Sequence, residues 1–287
     1  MKKHHILFII LSAFIFSSCE KVVELKVDSG EPILIIDSQL STEKEPWVVT
    51  LSLTQPYFDQ STIDYIGSAT VTIADNNGRT DTLNHTTDGV YVSDDSLACE
   101  SGMTYTLSVV YLNNTYTATE QCFYQEPIDF IRSYFLPEAN GFIPKGYYVF
   151  QKSLEYEPEG DFYMWKIYQN DTNLLDQIGY QIENDENREG GYWNIAIDPD
   201  DPLKDIDRGV FPRPFPYNFE KGDSVRVEQY RISREYYNFI GEFSNQQNRS
   251  GTPFDPPPSN PKTNIIGGAY GFFSVVNVSS AEVVVSD

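Results

Sequence analysis

Only a few residues in this 287-residue chain are of types and spacings that could do chemistry. The most telling is Cys19. It follows Ser17 and Ser18, which close an apolar run from Ile6 to Phe16 behind Lys2 and Lys3. A basic start, a short apolar stretch and small residues at a cleavage point make a secretory leader. The run is shorter than the roughly 20 residues that span a bilayer. A cysteine in that position is where a bacterial lipoprotein carries a diacylglycerol on its thiol and a further acyl chain on its freed amine. Residues 1–18 are therefore expected to be removed, leaving Cys19 as the lipid-bearing first residue. Each buried methylene would add about 0.8 kcal/mol to the anchor, so two or three chains hold firmly. The alternative is an ordinary leader with an incidental cysteine.

His85 is the one histidine beyond the leader, and it sits beside Asn84 and Thr86 between two expected strands. A Ser-His-Asp triad would have to run through it. No nucleophile-elbow glycine pattern accompanies it, so the expectation is an exposed loop histidine without a catalytic role. The same count leaves no histidine-rich zinc site. Asp198, Asp200, Asp201, Asp205 and Asp207 form the densest acidic cluster. Calcium accepts irregular oxygen ligation from such loops. Pro202 and Lys204 break the EF-hand spacing, so a solvated acidic loop stands beside the calcium reading. No other cofactor is expected. Cys99 and Cys122 are the remaining thiols. An exported compartment would let them pair as a disulfide, and the alternative is two buried thiols packing as small hydrophobes.

A second kind of candidate is aromatic. Trp193, Phe211, Phe215 and Tyr217 stand among prolines and glycines, outside clear strands. Large aromatics on stiff loops make good contact residues, because little entropy is lost when they engage. These four are the candidate ligand-binding residues; the alternative is that they close the edge of their own core. Charge narrows the partners. With 20 basic and 42 acidic residues the net charge is −22. That disfavours nucleic acid, whose phosphates need basic contacts, and flat docking onto an anionic membrane.

The elements that must position these residues are mostly strands. Alternation at Val49, Leu51 and Leu53, at Val71 and Ile73, and at Tyr105, Leu107, Val109 and Tyr111 has the period of two of half-buried strands. Asn77-Gly78 and Asn113-Asn114 carry hairpin turn chemistry, and Gly89 and Gly102 punctuate further. About seven short strands in residues 19–126 predict an immunoglobulin-like β-sandwich. Glu126-Pro127 marks an expected boundary, beyond which residues 127–287 turn aromatic and form a second β-rich domain. Strands are expected at Ile128–Phe135, Gly146–Tyr156, Phe162–Gln169 and Asp223–Tyr230. Tyr236, Phe239, Ile240 and Phe243 instead fall at helical spacing, and Ser233 is a suitable cap. One amphipathic helix is thus expected near residues 233–247. Long loops are expected at Ile182–Phe219 and Asn248–Asn264. The tail reads as a glycine turn at Gly267–Gly271 followed by a closing pair of strands, Phe272–Val276 and Ala281–Val285.

Several of these segments together resemble a family of Bacteroidetes-type outer-membrane lipoproteins, the domain-of-unknown-function family four-two-four-nine. The carrying residues are Ser-Ser-Cys19 with the early Val22-Val-Glu-Leu25 strand, Gly102-Met-Thr-Tyr-Thr-Leu107 with Glu126-Pro127, and the tail. In the tail, Pro256-Pro-Pro-Ser-Asn260 leads to Ile266-Gly-Gly-Ala-Tyr-Gly-Phe-Phe-Ser274, the most specific part. The resemblance implies an accessory lipoprotein beside a TonB-dependent β-barrel transporter. It would capture an unknown nutrient ligand or act as a lid, lipid-anchored in the outer membrane and facing the cell surface or the periplasm. It brings no catalytic residues, and a non-enzymatic protein is expected. A structural or adhesive surface lipoprotein is the first alternative. An exported hydrolase using paired carboxylates is the second.

Overall fold

The computed structural model describes residues 30–56, 62–137, 144–154, 160–174, 181–184, 192–193, 219–247 and 259–287. Cys19, the aspartates Asp198, Asp200, Asp201, Asp205 and Asp207, and the aromatics Phe211, Phe215 and Tyr217 lie outside the described residues, as does the side chain of Trp193. The chain divides into two compact units. One comprises Met1–Glu31 and Gln55–Ser61; the other, Pro32–Thr54 and Thr62–Asp287, is described below.

The protein is mainly β, as its alternating patterns predict. Strands β1 (Leu34–Ser41), β2 (Glu45–Leu53), β3 (Thr70–Asp75), β4 (Thr80–His85), β5 (Val90–Leu97), β6 (Thr104–Tyr111) and β7 (Asn114–Gln121) follow one another in the first half. Then come β8 (Ile128–Leu136), β9 (Gly146–Leu154), β10 (Phe162–Gln169), β11 (Thr172–Asn173), β12 (Gln181–Asn184), β13 (Tyr192–Trp193) and β14 (Ser224–Ile232). Helix α1 (Arg234–Gln247) and the long strand β15 (Tyr270–Val284) complete the described elements.

Strand pairing runs β11-β10-β14-β15-β1-β2-β5-β4-β3-β6-β7, with β12 added to β10, while β8, β9 and β13 make a separate small sheet. Alternation along the early strands points one side chain in two inward. Ile36, Val49, Leu51, Val71, Ile73, Leu107 and Val109 are thereby fully or almost fully buried in one core. The run β1-β2-β5 turns into β4-β3-β6-β7 through a short pairing at Asn84–Val92 and His85–Tyr91. A bridge from Thr117 back to Ile266 closes the other side of this core. A second core, with Trp165, Ile167, Val225 and Val227, lies on β10 and β14 and is joined by Val149 of β9. Each such large apolar side chain contributes about 1.5–3 kcal/mol on leaving water.

The compositional boundary at Glu126 does not divide this sheet. β15 pairs in parallel with β1, Ile35 opposite Tyr270 through Ser41 opposite Val276, and its later part pairs antiparallel with β14. Phe273 and Val275 therefore sit in the core of the first seven strands. The expected closing pair of strands is this single strand. Asn277, Ser279 and Ser280 read as a break, yet they continue the ladder against Arg231, Gln229 and Glu228 while β1 has ended. Polar residues fall there because the strand changes partners.

Local turn chemistry is otherwise much as expected. Gly78 has φ +94°, and Asp75 accepts from the backbone of Asn77 and Arg79 across the β3–β4 hairpin. The β6–β7 turn falls one residue earlier than Asn113-Asn114. Leu112 and Asn113 take positive φ (48° and 63°), and Asn114 already pairs with Tyr111. His85 ends strand β4 rather than lying in a loop, and its exposed ring rests on Tyr91 at 5.2 Å. The expected loop from Ile182 begins with a strand, and Trp193 belongs to β13, opposite Ser153 of β9.

Candidate functional site

The amphipathic stripe at 236–243 forms the helix its spacing predicts. Ser233 is the cap, its Oγ accepting from the Tyr236 N–H at 3.1 Å and its carbonyl from the Tyr237 N–H at 3.0 Å. Such a cap is worth about 1 kcal/mol. Glu235 in the first turn suits the positive end of the helix. Ser233 Oγ also donates to Glu120 Oε2 of β7 at 3.0 Å, tying the helix start to a strand 113 residues away. Glu120 shares the inward side of β7 with Ala118, and burial raises its carboxyl to about 7 despite the Ser233 bond.

Register decides what lies under the helix. Phe162–Ile232, Met164–Tyr230, Tyr230–Val278, Ser41–Val276 and Asp37–Phe272 are neighbours on one face of the sheet. α1 covers the half of this face that carries Phe162, Met164, Ile232 and Val276, burying Ile240 against them. The other half stays open and is polar. One groove lies over this open half, and a second runs along the helix.

The polar groove, about 460 Å³, runs over β10, β14, β15 and the β1–β2 connection. Several of its charged side chains are held by neighbours within it. Glu228 takes an ion pair from Arg226 and a 2.5 Å hydrogen bond from the Tyr230 hydroxyl. Burial, then the adjacent Glu228, keeps that phenol well above its ordinary range. Arg226 stacks on Tyr168 at 4.0 Å and the Lys166 ammonium lies over Tyr230 at 4.7 Å.

The second groove, about 420 Å³, is apolar and aromatic. Tyr236, Phe239, Ile240 and Phe243 of α1 form one wall, Ile35 and Asp37 of β1 lie opposite, and Thr54, Asn260, Pro261, Tyr270 and Gly271 complete the lining. The rings are mutually braced. Buried Phe272 packs on Tyr236 at 5.0 Å and on Phe239 at 5.1 Å, and Phe239 stacks with Phe243 at 6.4 Å. Gln39 reaches the Tyr236 hydroxyl at 3.4 Å, at the divide between the grooves. Gly271 makes the close approach possible. At φ +93° it lies so near β1 that a Cβ there would meet the Ile36 carbonyl at 2.0 Å. Asn264 pins the same turn, donating to the Phe273 carbonyl at 2.7 Å and accepting its N–H at 3.1 Å.

Asp37 is the charged side chain of this lining. It is exposed to the groove, yet the protein around it desolvates the carboxyl and raises it above the usual carboxylate range. Among the described residues it has no hydrogen-bond or ion-pair partner. Sequence reasoning found the aromatic wall through its helical spacing but missed Asp37. The available signal was the one carboxylate within the apolar strand Leu34-Ile-Ile-Asp37.

The other expected site residues fall elsewhere. Cys99 and Cys122 are buried free thiols in the first core. Burial raises both, Cys122 to about 11, and the nearby Cys122 adds to the rise at Cys99. Trp193 keeps only a backbone description, and no group of three metal-binding side chains occurs among the described residues.

The fold and groove together define a mainly β protein with a helix laid across one sheet face and an aromatic cleft beside it, in which Asp37 is the charged side chain among the described lining residues. The chain belongs to the family described as domain of unknown function DUF4249, whose model matches residues 20–282. No curated protein matches it.

Proposed function

We propose that this is an exported lipoprotein, anchored in the outer membrane through Cys19. It captures a nutrient ligand for, or forms a lid over, a TonB-dependent β-barrel transporter. The aromatic groove carries the reading. It is a cleft of ligand size that combines apolar walls with a few polar groups, the unpaired Asp37 carboxylate among them, the usual composition of small-molecule sites. Membership of the family agrees with the resemblance from which the transporter role derives. The leader and Cys19 supply an N-terminal tether, and the protein acts by binding rather than by catalysis.

Gentle detergent extraction of outer membranes, capture of the tagged full chain and identification of the co-purifying proteins test this. A β-barrel transporter should elute with the chain in comparable amount. Its absence from an eluate that contains the intact lipidated chain refutes the reading.

A further inference from the structure

The chemistry of the aromatic groove narrows what can fill it. Asp37 supplies a full negative charge, and no Lys, Arg or His is among the described lining residues. Water reaches the exposed Asp37, and an opposite charge held beside it in the apolar groove still gains from its field. In the polar groove the more buried Glu228 is given both Arg226 and Tyr230. Asp37 is given neither. The opposing wall is made of rings, Tyr236, Phe239 and Phe243. Aromatic faces attract cations by about 0.5–2 kcal/mol, more when water is excluded. The net charge of −22 also draws cations toward the protein.

We infer that the groove between α1 and β1 binds a small organic ammonium carried on an apolar body, with Asp37 as counter-ion and Tyr236, Phe239 and Phe243 holding the body and its charge. A neutral hydroxyl compound would restore one hydrogen bond to Asp37 and leave its charge uncompensated. The groove volume, about 420 Å³, suits a compact ligand with a ring or short alkyl chain. This assignment rests on the capture reading above and names the ligand class for the same site.

The test titrates the detergent-solubilised full chain with 2-phenylethylammonium and, separately, with the uncharged 2-phenylethanol, following the ligand signals by saturation-transfer NMR. The ammonium should bind at least tenfold more tightly. Asp37→Asn should bring the two affinities together while leaving 2-phenylethanol unchanged, which also shows that the groove has remained folded. Phe243→Ala, at the exposed end of the stripe, should weaken both by several-fold. Equal affinities in the unaltered chain, or a preference that survives Asp37→Asn, overturn the inference. So does a simple methyl glycoside that displaces the ammonium in the unaltered chain and binds the Asp37→Asn variant as well. Co-purification with a barrel does not depend on these titrations, so failure here and failure of the transporter reading are separate results.

Discussion

Replacing Glu120 with Gln should stabilise the protein above neutral pH and do almost nothing in acid. Glu120 reaches the cap residue Ser233 from the inward side of β7, and burial lifts its carboxyl from 4.5 to about 7. Below pH 4.5 the folded and unfolded chains both hold the proton, and its stabilising contribution is fully present. Between 4.5 and 7 the unfolded chain releases it while the folded chain keeps it, so stability falls as pH rises. Above 7 both are ionised and the contribution is gone. A gap of about 2.5 between 4.5 and about 7, at roughly 1.4 kcal/mol each, sets an upper bound near 3 kcal/mol. Two effects reduce it. The side chain is partly accessible, and an anion beside the helix start gains about 0.3–1 kcal/mol that glutamine forgoes. A net gain of about 1–2 kcal/mol remains, roughly 5 °C in melting temperature for a protein of this size. Glutamine can still accept the Ser233 hydroxyl, so the variant isolates the charge. Thermal unfolding of both proteins from pH 4 to pH 8.5 gives the measurement. The difference should open between pH 5 and 7.5 and then level off. A difference that is constant across the range, or that shrinks as pH rises, refutes the argument that this carboxylate is held against its charge.

Gly271→Ala should cost about 3 kcal/mol or more in urea denaturation, because the new methyl strikes the Ile36 carbonyl at the β1–β15 junction. Gly78→Ala shares the positive φ but meets open space, and should cost only about 1–2 kcal/mol. Similar losses for the two would mean that conformation, not contact, sets the requirement at Gly271. Native protein at pH 8 should react very slowly with iodoacetamide, since burial raises both Cys99 and Cys122, and unfolding in urea should expose two reactive thiols. Fewer than two thiols after unfolding without reductant would show a disulfide. Cys19→Ala should move the folded protein from the membrane fraction to the soluble one; persistence in the membrane would place the anchor elsewhere.

Much of the architecture was legible because its signals are local. Phe162–Gln169 was bounded correctly by an apolar run between turn residues, and it is the strand β10. The helix was legible because a cap at Ser233 and four apolar residues at helical spacing need no knowledge of the rest. β14 ran two residues further than expected, through Arg231 and Ile232, since Arg231 is buried in an ion pair with Asp161 that no local pattern announces. The sequence pattern likewise divides the closing strand in two, although β15 is one strand. Its polar middle is explained by Gln229 and Glu228 opposite, which lie some 50 residues earlier.

The sequence by itself determined the β character, the amphipathic helix at Arg234–Gln247 and the acidic charge balance. Each depends on residue type and spacing within a short window. Only the tertiary structure decided the site. Asp37 and Phe272 are side by side because β1 and β15 pair in parallel across most of the chain's length. Strand alternation gives Asp37 a face, but not a neighbour, and the helical stripe gives four aromatic and aliphatic side chains a direction, but not a target. Which strand meets which stripe is settled by the burial and hydrogen bonding of the whole sheet, and that long-range choice makes a lone carboxylate and a wall of rings into one groove.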